Sequence, residues 1–517
     1  VPVLENMGFR VVSERTFEVP QEGDGIVYLH DMELENAFAG PVDLADGGAL
    51  FEDVFLSVWR GKADNDEYNA LAQTAGMSSR RIAVLRAYGR YLQQAGIPQS
   101  QSFIAAALNR YPDIARGLHQ LFEARFDPAQ EADGMVTARH VKAKIKDLLE
   151  GVPSIDDDTI IRRLMNLIDA SLRTNHYVEG LAGSGRSLAI KLDSRAIEGL
   201  PEPRPWREIF VYGPVVEGVH LRFGPVARGG LRWSDRAQDY RTEVLGLVKA
   251  QQVKNAVIVP VGAKGGFYPK NLPGGGGRDA VFEAGRAAYV NFISSLLSVT
   301  DNLDGDAIVP PAGVVRRDGD DPYFVVAADK GTATFSDTAN AISQEHGFWL
   351  DDAFASGGSA GYDHKKMGIT ARGAWEAVKR HFREKNRDIQ TEPFTVVGVG
   401  DMSGDVFGNG MLLSEQTRLV AAFDHRDIFI DPDPDAAASF AERRRLFELP
   451  RSSWQDYDKA LLSAGGMIVP RSQKSVTLTA EAAAAIGIGK ATATPAEIMS
   501  AILRAPVDLL WFGGIGT

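Results

Sequence analysis

Hydrophobic positions repeat with different periods along the chain, and the changes of period divide it into segments. Residues 9–18 and 26–34 carry strand-like apolar runs, so residues 1–58 are predicted to form a small α/β unit. From residue 59 to residue 150 apolar side chains recur at every third or fourth position, most clearly over residues 81–92. That spacing places them on one face of a helix and predicts a helical domain.

Past residue 150 the pattern changes to short strands separated by turns. Residues 187–192, 208–212 and 219–223 are the clearest strand candidates, and residues 151–390 are predicted to form one α/β domain. Near its end, residues 373–386 have helical spacing. We expect that helix to lead into the next domain.

Residues 391–517 alternate strands with helices. Residues 393–400 have the pattern of a buried strand that enters a glycine turn, and residues 419–423, 467–469 and 507–512 are the next strand candidates. Because helical stretches lie between them, the pattern predicts a parallel, doubly wound sheet of the Rossmann-like type. The fold class predicted for the chain is therefore α/β.

Composition narrows what such a chain can bind. A length of 517 residues suggests about three domains. Lys and Arg total 56 against 68 Asp and Glu, a net charge of −12, which argues against a nucleic-acid partner because phosphates need a basic face. No apolar run approaches the ~18 residues that span a bilayer, so no membrane association is expected.

The absence of Cys excludes disulfides and thiolate metal sites and suits a reducing cytoplasm. The nine His residues show no paired metal-ligand spacing, and we therefore expect no metal site.

The first candidate site is the glycine turn after the strand at 393–400. Glycines there let a pyrophosphate approach backbone N–H groups, while Asp424, at the end of the next strand, can accept ribose hydroxyls. The pattern favours a dinucleotide, and an acid favours NAD over NADP. An ordinary strand-to-helix turn and a ribose role for Asp427 or Asp431 remain open. The cofactor-binding candidates are Gly398, Gly400, Asp401, Met402, Ser403, Gly404 and Asp424.

The second candidate site is a set of cations on glycine-flanked loops. Arg228 precedes Gly229 and Gly230, and Lys264 stands between glycines, where no β-carbons would obstruct a ligand. Converging cations in a buried pocket lower a lysine pKa towards the range of a general base. A solvated helix face is the alternative for each of four other cations: Arg236, Arg241, Lys249 and Lys254.

Two further motifs have open interpretations. Val325–Thr332 is a short apolar strand that ends in Asp329 and a glycine turn, and Asp329 either relays protons beside the cations or caps the next helix. Gly357–Gly361 matches the nucleophile elbow of serine hydrolases, but the segment before Ser359 carries two acids where the elbow needs a buried strand. We do not expect a hydrolase.

Three motifs, at residues 224–236, 254–266 and 398–404, together resemble the large bacterial NAD-specific glutamate dehydrogenases. The resemblance covers nearly the whole chain, including residues 85–92 and 193–200, which the small hexameric enzymes lack. It implies oxidative deamination of L-glutamate to 2-oxoglutarate and ammonia, with NAD as hydride acceptor. We also expect a homo-oligomer in the cytoplasm.

The resemblance implies roles for the cations and glycines of the second candidate site. Lys264 would be the catalytic lysine that activates water against the iminium intermediate, and Lys254 would hold the substrate α-carboxylate. Arg228, beside Gly229 and Gly230, replaces a lysine of the family and would hold the side-chain carboxylate bidentately.

Two further positions follow from the same resemblance. Thr370 would approach the nicotinamide carboxamide. Small family members carry a catalytic Asp in the register where this chain has Phe324, and Asp329 is the substitute that we predict. Two alternatives stay open: a dehydrogenase of an apolar L-amino acid, which would not need Arg228, and a non-catalytic regulatory or binding fragment.

The predicted domains are the end of an ACT-like regulatory unit (1–58), a helical domain (59–150), the substrate and catalytic domain (151–390) and a truncated NAD-binding domain (391–517). A complete dinucleotide fold needs about six strands, and only three candidates follow Gly400. We therefore expect the natural polypeptide to continue at both ends and this fragment alone to be inactive.

Overall fold

The computed structural model describes residues 1–20, 26–38, 44–180, 187–251, 261–275, 277–332, 334–359, 361, 364–450 and 452–515. These residues form two compact units, Val1–Ala360 and Gly361–Thr517. Within the described ranges no helix has the length and apolar character needed to cross a bilayer.

The helices of the first unit are α1 (Pro2–Asn6), α2 (Leu44–Trp59), α3 (Leu71–Ala75), α4 (Ser79–Gln94), α5 (Gln101–Arg110), α6 (Pro112–Phe126), α7 (Gly134–Leu149), α8 (Ile155–Ala170), α9 (Tyr240–Gln251), α10 (Arg278–Leu297) and α11 (Ser336–Glu345). Its strands are β1 (Phe9–Pro20), β2 (Ile26–Asn36), β3 (Ser171–Thr174), β4 (Leu188–Leu192), β5 (Arg207–Tyr212), β6 (Val216–Arg222), β7 (Ala227–Arg228), β8 (Leu231–Trp233), β9 (Val261–Pro269), β10 (Asn302–Asp304) and β11 (Ala307–Val309).

The helical region is built as the spacing predicts. Helix α4 buries Ile82, Leu85, Tyr88 and Leu92 along one side, which is the three-to-four spacing of a helix face that packs on a core. Its neighbour α5 begins where the Ser100 hydroxyl accepts the backbone N–H of Phe103, and such a cap satisfies one of the open donors of the first turn.

The main sheet of the first unit has seven strands in the order β3-β4-β5-β6-β9-β7, and β8 also pairs with β9. Strands β3 to β6 and β9 are antiparallel neighbours, whereas β7 and β8 run parallel to β9. Successive residues of β5 face opposite sides, so Phe210 packs with α4 and α9 and Ile209 packs with α10. The sheet is therefore covered by helices on both faces.

The helices of the second unit are α12 (His364–Met367), α13 (Ile369–Arg383), α14 (Asp405–Gly410), α15 (Ala436–Glu448), α16 (Ala480–Ala485) and α17 (Pro495–Ile502). Its strands are β12 (Phe394–Val399), β13 (Thr417–Phe423), β14 (Asp427–Ile430), β15 (Met467–Pro470), β16 (Val476–Thr477), β17 (Thr492–Ala493) and β18 (Leu509–Phe512).

The sheet of the second unit has the order β15-β14-β13-β12-β18. Strands β13 and β18 flank β12 and run parallel to it, but β14 and β15 are antiparallel, so the sheet is mixed and the predicted parallel arrangement is wrong at this edge. The physical reason is a tight turn after β13: one oxygen of Asp424 accepts the backbone N–H groups of Arg426 and Asp427, which sends the chain straight back.

The predicted α/β class is confirmed, and the second unit is wound on both faces of its sheet. Val396 of β12 packs with α13 and α14, whereas Val397 packs with α16 and α17. Because the connections around β12 leave to opposite faces, the carboxyl ends of β12 and β18 form a topological switch point.

Candidate active site

Lys264 and Asp329 form an ion pair in the first unit. Lys264 lies on β9 with 3% of its side chain exposed, and its Nζ is 2.5 Å from Asp329 Oδ2. The structure therefore brings together the two residues predicted to carry acid–base chemistry, although they belong to separate motifs of the sequence.

Backbone pairing places Asp329 beside β9. The Leu231 N–H donates to Ala327 O at 2.9 Å and the Trp233 N–H donates to Lys330 O at 3.1 Å, so the segment before and after Asp329 runs along β8. Strand β8 itself lies parallel to β9, with Leu231 opposite Gly265. Asp329 thus reaches Lys264 across β8, and its position is fixed by main-chain hydrogen bonds.

Asp329 is held as a carboxylate. Burial alone would raise its pKa, but the Lys264 ammonium and the Arg232 guanidinium outweigh burial and lower the pKa of Asp329 below its usual value. Its backbone N–H donates to Thr332 Oγ1, whose hydroxyl donates to Leu231 O at 2.7 Å. The alternative role as a helix cap is wrong, because α11 begins at Ser336 with Phe335 at its N-cap.

The guanidinium of Arg232 links this pair to helix α9. Its Nε donates to Asp329 Oδ2 at 3.1 Å and its Nη1 donates to Glu243 Oε1 at 3.0 Å. Neither Arg232 nor Glu243 was among the candidate residues. Arg232 stands inside one of the motifs that carry the resemblance, and that position is the signal that could have found it.

Arg228 is half-buried at the end of β7. Across the part of the chain that the structure describes, its guanidinium has no ion pair or hydrogen-bond partner. The other cation predicted to bind the substrate, Lys254, lies outside the described residues.

Gly229 and Gly230 have structural roles in the strand packing. A Cβ on Gly229 would overlap the carbonyl oxygen of Ala263 on β9, so only glycine allows the two backbones to approach this closely. Gly230 O accepts the N–H of Gly265 at 3.1 Å. The open space predicted beside Gly265 is filled by the Leu231 side chain and is not left for a ligand.

The other candidate cations lie on or near α9. Arg236 is an exposed partner of Asp239, and Lys249 is exposed in the last turn. Arg241 is 2% exposed and pairs with Glu208 at 3.0 Å, so its assignment to a solvated helix face is wrong. The sequence could not show this, because the buried carboxylate comes from a distant strand.

Phe324, which the resemblance places in register with a catalytic Asp of the small family members, is fully buried. Its ring meets the His220 imidazole edge-on, with centroids 4.7 Å apart. Burial lowers the pKa of His220 to about 3, so this imidazole stays neutral. The Phe324 position therefore belongs to the core.

In the second unit, the glycine turn follows β12 as predicted. Gly400 has φ of +145°, and a Cβ there would overlap Phe407. Its carbonyl accepts the indole N–H of Trp454 at 3.0 Å, and Met402 is buried behind the turn. Gly398 lies just before the end of β12 and Gly404 is the N-cap of α14.

Asp401 and Asp424 form a carboxyl pair at the ends of β12 and β13. Asp401 Oδ1 accepts the backbone N–H groups of Ser403 and Gly404. Burial and then the Asp401 carboxyl raise the pKa of Asp424, whereas hydrogen bonds from Asp424 and Ser403 outweigh burial and lower the pKa of Asp401. The guanidinium of Arg426 lies 3.2 Å from Asp401 and 3.4 Å from Asp424.

The remaining candidates lie near this pair or apart from it. Thr370 is exposed in the first turn of α13. Asp427 accepts the Gln455 amide at 2.8 Å, and Asp431 accepts the backbone N–H of Ser463, so both carboxylates have structural partners. The Ser359 hydroxyl donates to Asp337 at 3.0 Å. The segment before Ser359 forms a 3-10 turn at Asp351–Ala353, so these described residues lack the buried strand that a nucleophile elbow needs.

Comparison with known proteins identifies three family regions. Residues 144–517 match the family described as "Bacterial NAD-glutamate dehydrogenase, catalytic domain", residues 63–128 match "Glutamate dehydrogenase, helical motif 3" and residues 1–46 match "Glutamate dehydrogenase, ACT3 domain".

Curated relatives agree along the entire chain. Three proteins named NAD-specific glutamate dehydrogenase match 100% of this chain. The protein from Halomonas elongata is 56% identical to it, that from Mycobacterium tuberculosis 55% and that from Pseudomonas aeruginosa 54%. The chain spans 32%, 33% and 32% of those proteins, about a third of their length. Its sequence and its matched regions show that the chain belongs to the bacterial NAD-glutamate dehydrogenase family.

Proposed function

We propose that this protein acts in the NAD-dependent oxidative deamination of L-glutamate to 2-oxoglutarate and ammonia. The observation that carries the proposal is the 2.5 Å contact between Lys264 Nζ and Asp329 Oδ2, an acid–base pair in a family of glutamate dehydrogenases. A lysine beside a carboxylate can move a proton between Nζ and a water molecule, which is what hydrolysis of the iminium intermediate would require.

In this proposal Lys264 is the catalytic lysine and Asp329 its proton partner. Because the two neighbouring cations lower the pKa of Asp329, its carboxylate accepts a hydrogen bond from Lys264 at neutral pH. The pair is largely removed from solvent, and the Coulomb interaction between its charges is stronger there than in bulk water.

Two cations would bind the two carboxylates of glutamate. Arg228, which the described residues leave without a partner, would hold the side-chain carboxylate in a bidentate geometry. Lys254 would hold the α-carboxylate, an assignment that rests on the resemblance alone. Gly229 supports this site by letting β7 and β8 pack closely on β9, and Gly230 by letting the backbone of Ala328 and Asp329 approach.

The second unit would hold NAD at the carboxyl end of β12. The arrangement of β13 and β18 on either side of β12 creates the switch point at which open α/β sheets bind dinucleotides. The residues proposed to bind it are Gly398, Gly400, Asp401, Met402, Ser403, Gly404, Asp424 and Thr370. Bound NAD would take the hydride from the substrate α-carbon.

Asp424 needs one local change to bind a ribose. One of its oxygens is used by the turn into β14, and the other faces Arg426. Ribose hydroxyls would therefore have to displace the Arg426 guanidinium from that second oxygen. Its negative charge still disfavours a 2′-phosphate and supports NAD over NADP.

The domain division belongs to the same proposal. We propose an ACT-like unit at 1–58, a helical domain at 59–150, a substrate domain at 151–390 and an NAD-binding domain at 391–517. The order of the three matched regions supports the divisions near residues 58 and 150. We also propose a homo-oligomer in the cytoplasm, where a chain without Cys suits the reducing conditions. Sedimentation of the purified protein tests the oligomer.

A substrate screen tests the activity. The protein at its natural length is incubated with NAD and either glutamate, leucine or phenylalanine, and nicotinamide absorbance is followed. Reduction with glutamate alone supports the proposal. Preference for leucine or phenylalanine would instead show a dehydrogenase of an apolar amino acid, and the lack of an NAD-dependent rise in Tm would indicate a non-catalytic binding protein.

A further inference from the structure

We infer, on the basis of the proposed function, that Arg232 and Glu243 are positioning residues for the Lys264–Asp329 pair. Arg232 holds the Asp329 carboxylate towards Lys264, and Glu243 holds Arg232 from helix α9. Neither side chain is assigned a contact with substrate or cofactor.

The geometry of Arg232 is that of a bridge. Its Nε donates to Asp329 Oδ2 at 3.1 Å, and the same oxygen also contacts Lys264. Its Nη1 donates to Glu243 Oε1 at 3.0 Å. Because both cations lie on the same carboxylate oxygen, rotation of the Asp329 carboxylate would break both contacts. Arg232 therefore restricts the direction in which Asp329 faces.

Glu243 is itself fixed at both oxygens. Its Oε1 accepts Arg232, and its Oε2 accepts the Ser234 hydroxyl at 2.7 Å. Ser234 follows β8, and its backbone N–H donates to Phe267 O on β9 at 2.9 Å. Glu243 thus connects α9 to the same two strands that carry Arg232 and Lys264.

Helix α9 has a rigid attachment at the turn that carries Glu243. Arg241, two residues earlier, is 2% exposed and donates to Glu208 of β5 at 3.0 Å and 3.2 Å. Its backbone N–H donates to the Gln94 amide of α4. These contacts fix the first turn of α9, so the Glu243 carboxylate is held in place where it accepts the hydrogen bond from Arg232.

The charges of the four residues balance. Lys264 and Arg232 contribute two positive charges, and Asp329 and Glu243 contribute two negative charges, with 3%, 19%, 22% and 13% of the side chains exposed. A balanced set costs less to hold away from solvent than an unpaired cation would. It also gives opposite electrostatic effects for loss of the arginine and loss of the glutamate.

That opposition separates positioning from a purely structural ion pair. Removing Arg232 takes a cation away from Asp329 and raises the pKa of its carboxyl group, whereas removing the Glu243 charge leaves Arg232 more available to Asp329. A loss of fold stability alone would not move the pKa of Asp329 in a defined direction in either variant.

The test compares Arg232→Met, Arg232→Lys and Glu243→Gln with the unmodified protein at its natural length, measuring kcat and KM for glutamate oxidation against pH. For Arg232→Met we expect kcat to fall by about a hundredfold, as for a small misplacement of a reacting group, and the acidic limb to move up by about one pH unit. Arg232→Lys should restore the limb and part of kcat. Glu243→Gln should lower kcat without moving the limb up.

The matched control is Arg90→Met, because Arg90 pairs with Glu217 at 3.1 Å and is 20% exposed. We expect it to lower Tm and leave the acidic limb in place. If Arg232→Met left the limb unmoved, or if Glu243→Gln moved it up equally, the positioning inference would be overturned.

A second measurement does not depend on turnover. Acetylation of Lys264 by acetic anhydride, mapped by mass spectrometry, should become severalfold faster in Arg232→Met, because Asp329 is then free to turn away, while acetylation of Lys249 stays constant. Unchanged labelling of Lys264 overturns the inference even in an active enzyme. The unmodified protein could fail to oxidise glutamate while Arg232→Met still accelerates the acetylation of Lys264. That result would refute the proposed function and leave the positioning inference intact.

Discussion

Lys264 Nζ and Asp329 Oδ2 lie 2.5 Å apart, and this ion pair joins a glycine-flanked strand to a loop that follows a separate short apolar run. The contact depends on β8, which pairs with β9 on one side and with the Asp329 segment on the other. This contact supports the prediction that Asp329, and not the residue at the Phe324 register, is the acid of the site.

Asp329→Asn is predicted to lower kcat by about a hundredfold to ten-thousandfold, the usual contribution of a positioned proton donor or acceptor. KM for NAD should change little, because Asp329 is not assigned to cofactor binding. Steady-state rates with glutamate measure this. Asp337→Asn is the control, since Asp337 is an exposed partner of Ser359; equal rates for Asp329→Asn and the unmodified protein would remove Asp329 from the site.

Gly229→Ala is predicted to destabilise the first unit by about 1–3 kcal/mol or more, because the added methyl group would overlap Ala263 O in the adjacent strand. Gly246→Ala is the matched control: Gly246 is exposed within α9, with no atom near the position of an added Cβ. There alanine should stabilise by about 0.5–1 kcal/mol. Urea unfolding of both variants measures the change in the free energy of unfolding. An equal change in Gly229→Ala and Gly246→Ala would contradict the packing argument.

Arg173→Met is predicted to lower the free energy of unfolding by about 3–5 kcal/mol, because it removes a buried positive charge from two buried carboxylates, which Arg316 and Lys191 then balance only in part. Arg173 is fully buried and contacts Asp301 at 2.8 Å and Asp318 at 2.6 Å. The exposed pair Arg286–Glu283, at 3.3 Å, provides the control, and Arg286→Met should have no measurable effect. Chemical denaturation compares them.

Asp321 makes stability depend on acid pH. Burial opposes its charge, but Arg222 and Lys191 outweigh burial and lower the pKa of Asp321 from 3.8 to about 2. The folded state therefore binds this proton less readily than the unfolded state, so the contribution is present above pH 4 and disappears as pH falls towards 2. It amounts to about 2 kcal/mol.

The measurement for Asp321 is unfolding of the unmodified protein and of Asp321→Asn between pH 6 and pH 2. The difference between their free energies of unfolding should shrink as the pH falls below 4. A difference that stayed constant across this range would show that ionisation of Asp321 does not contribute.

Local pattern was sufficient for much of the fold. The apolar spacing at 81–92 predicts α4, and the runs at 208–212 and 419–423 predict β5 and β13. These elements follow from period alone, because each buries one side or both sides of a regular structure. The turn after β13 was missed, since it depends on one Asp424 oxygen accepting two backbone N–H groups.

The candidate site divides in a similar way. Lys264 and Asp329 could be chosen from chemistry and resemblance, since Lys264 is flanked by glycines and Asp329 precedes a glycine turn at the end of a short apolar run. Glu243 and the burial of Arg241 could not, because an ion pair joins residues from different elements and leaves no period in the sequence. Arg232 is marked only by its place in the motif at 224–236. Those partners become visible only when α9 is placed against the sheet.

The central claim is tested most directly by Lys264→Ala in the catalytically active protein, with Lys249→Ala, which removes an exposed lysine of α9, as the control. We predict that Lys264→Ala abolishes glutamate-dependent NAD reduction and keeps the rise in Tm caused by NAD, while Lys249→Ala changes neither. Unchanged turnover in Lys264→Ala would contradict the assignment of the Lys264–Asp329 pair as the reaction centre.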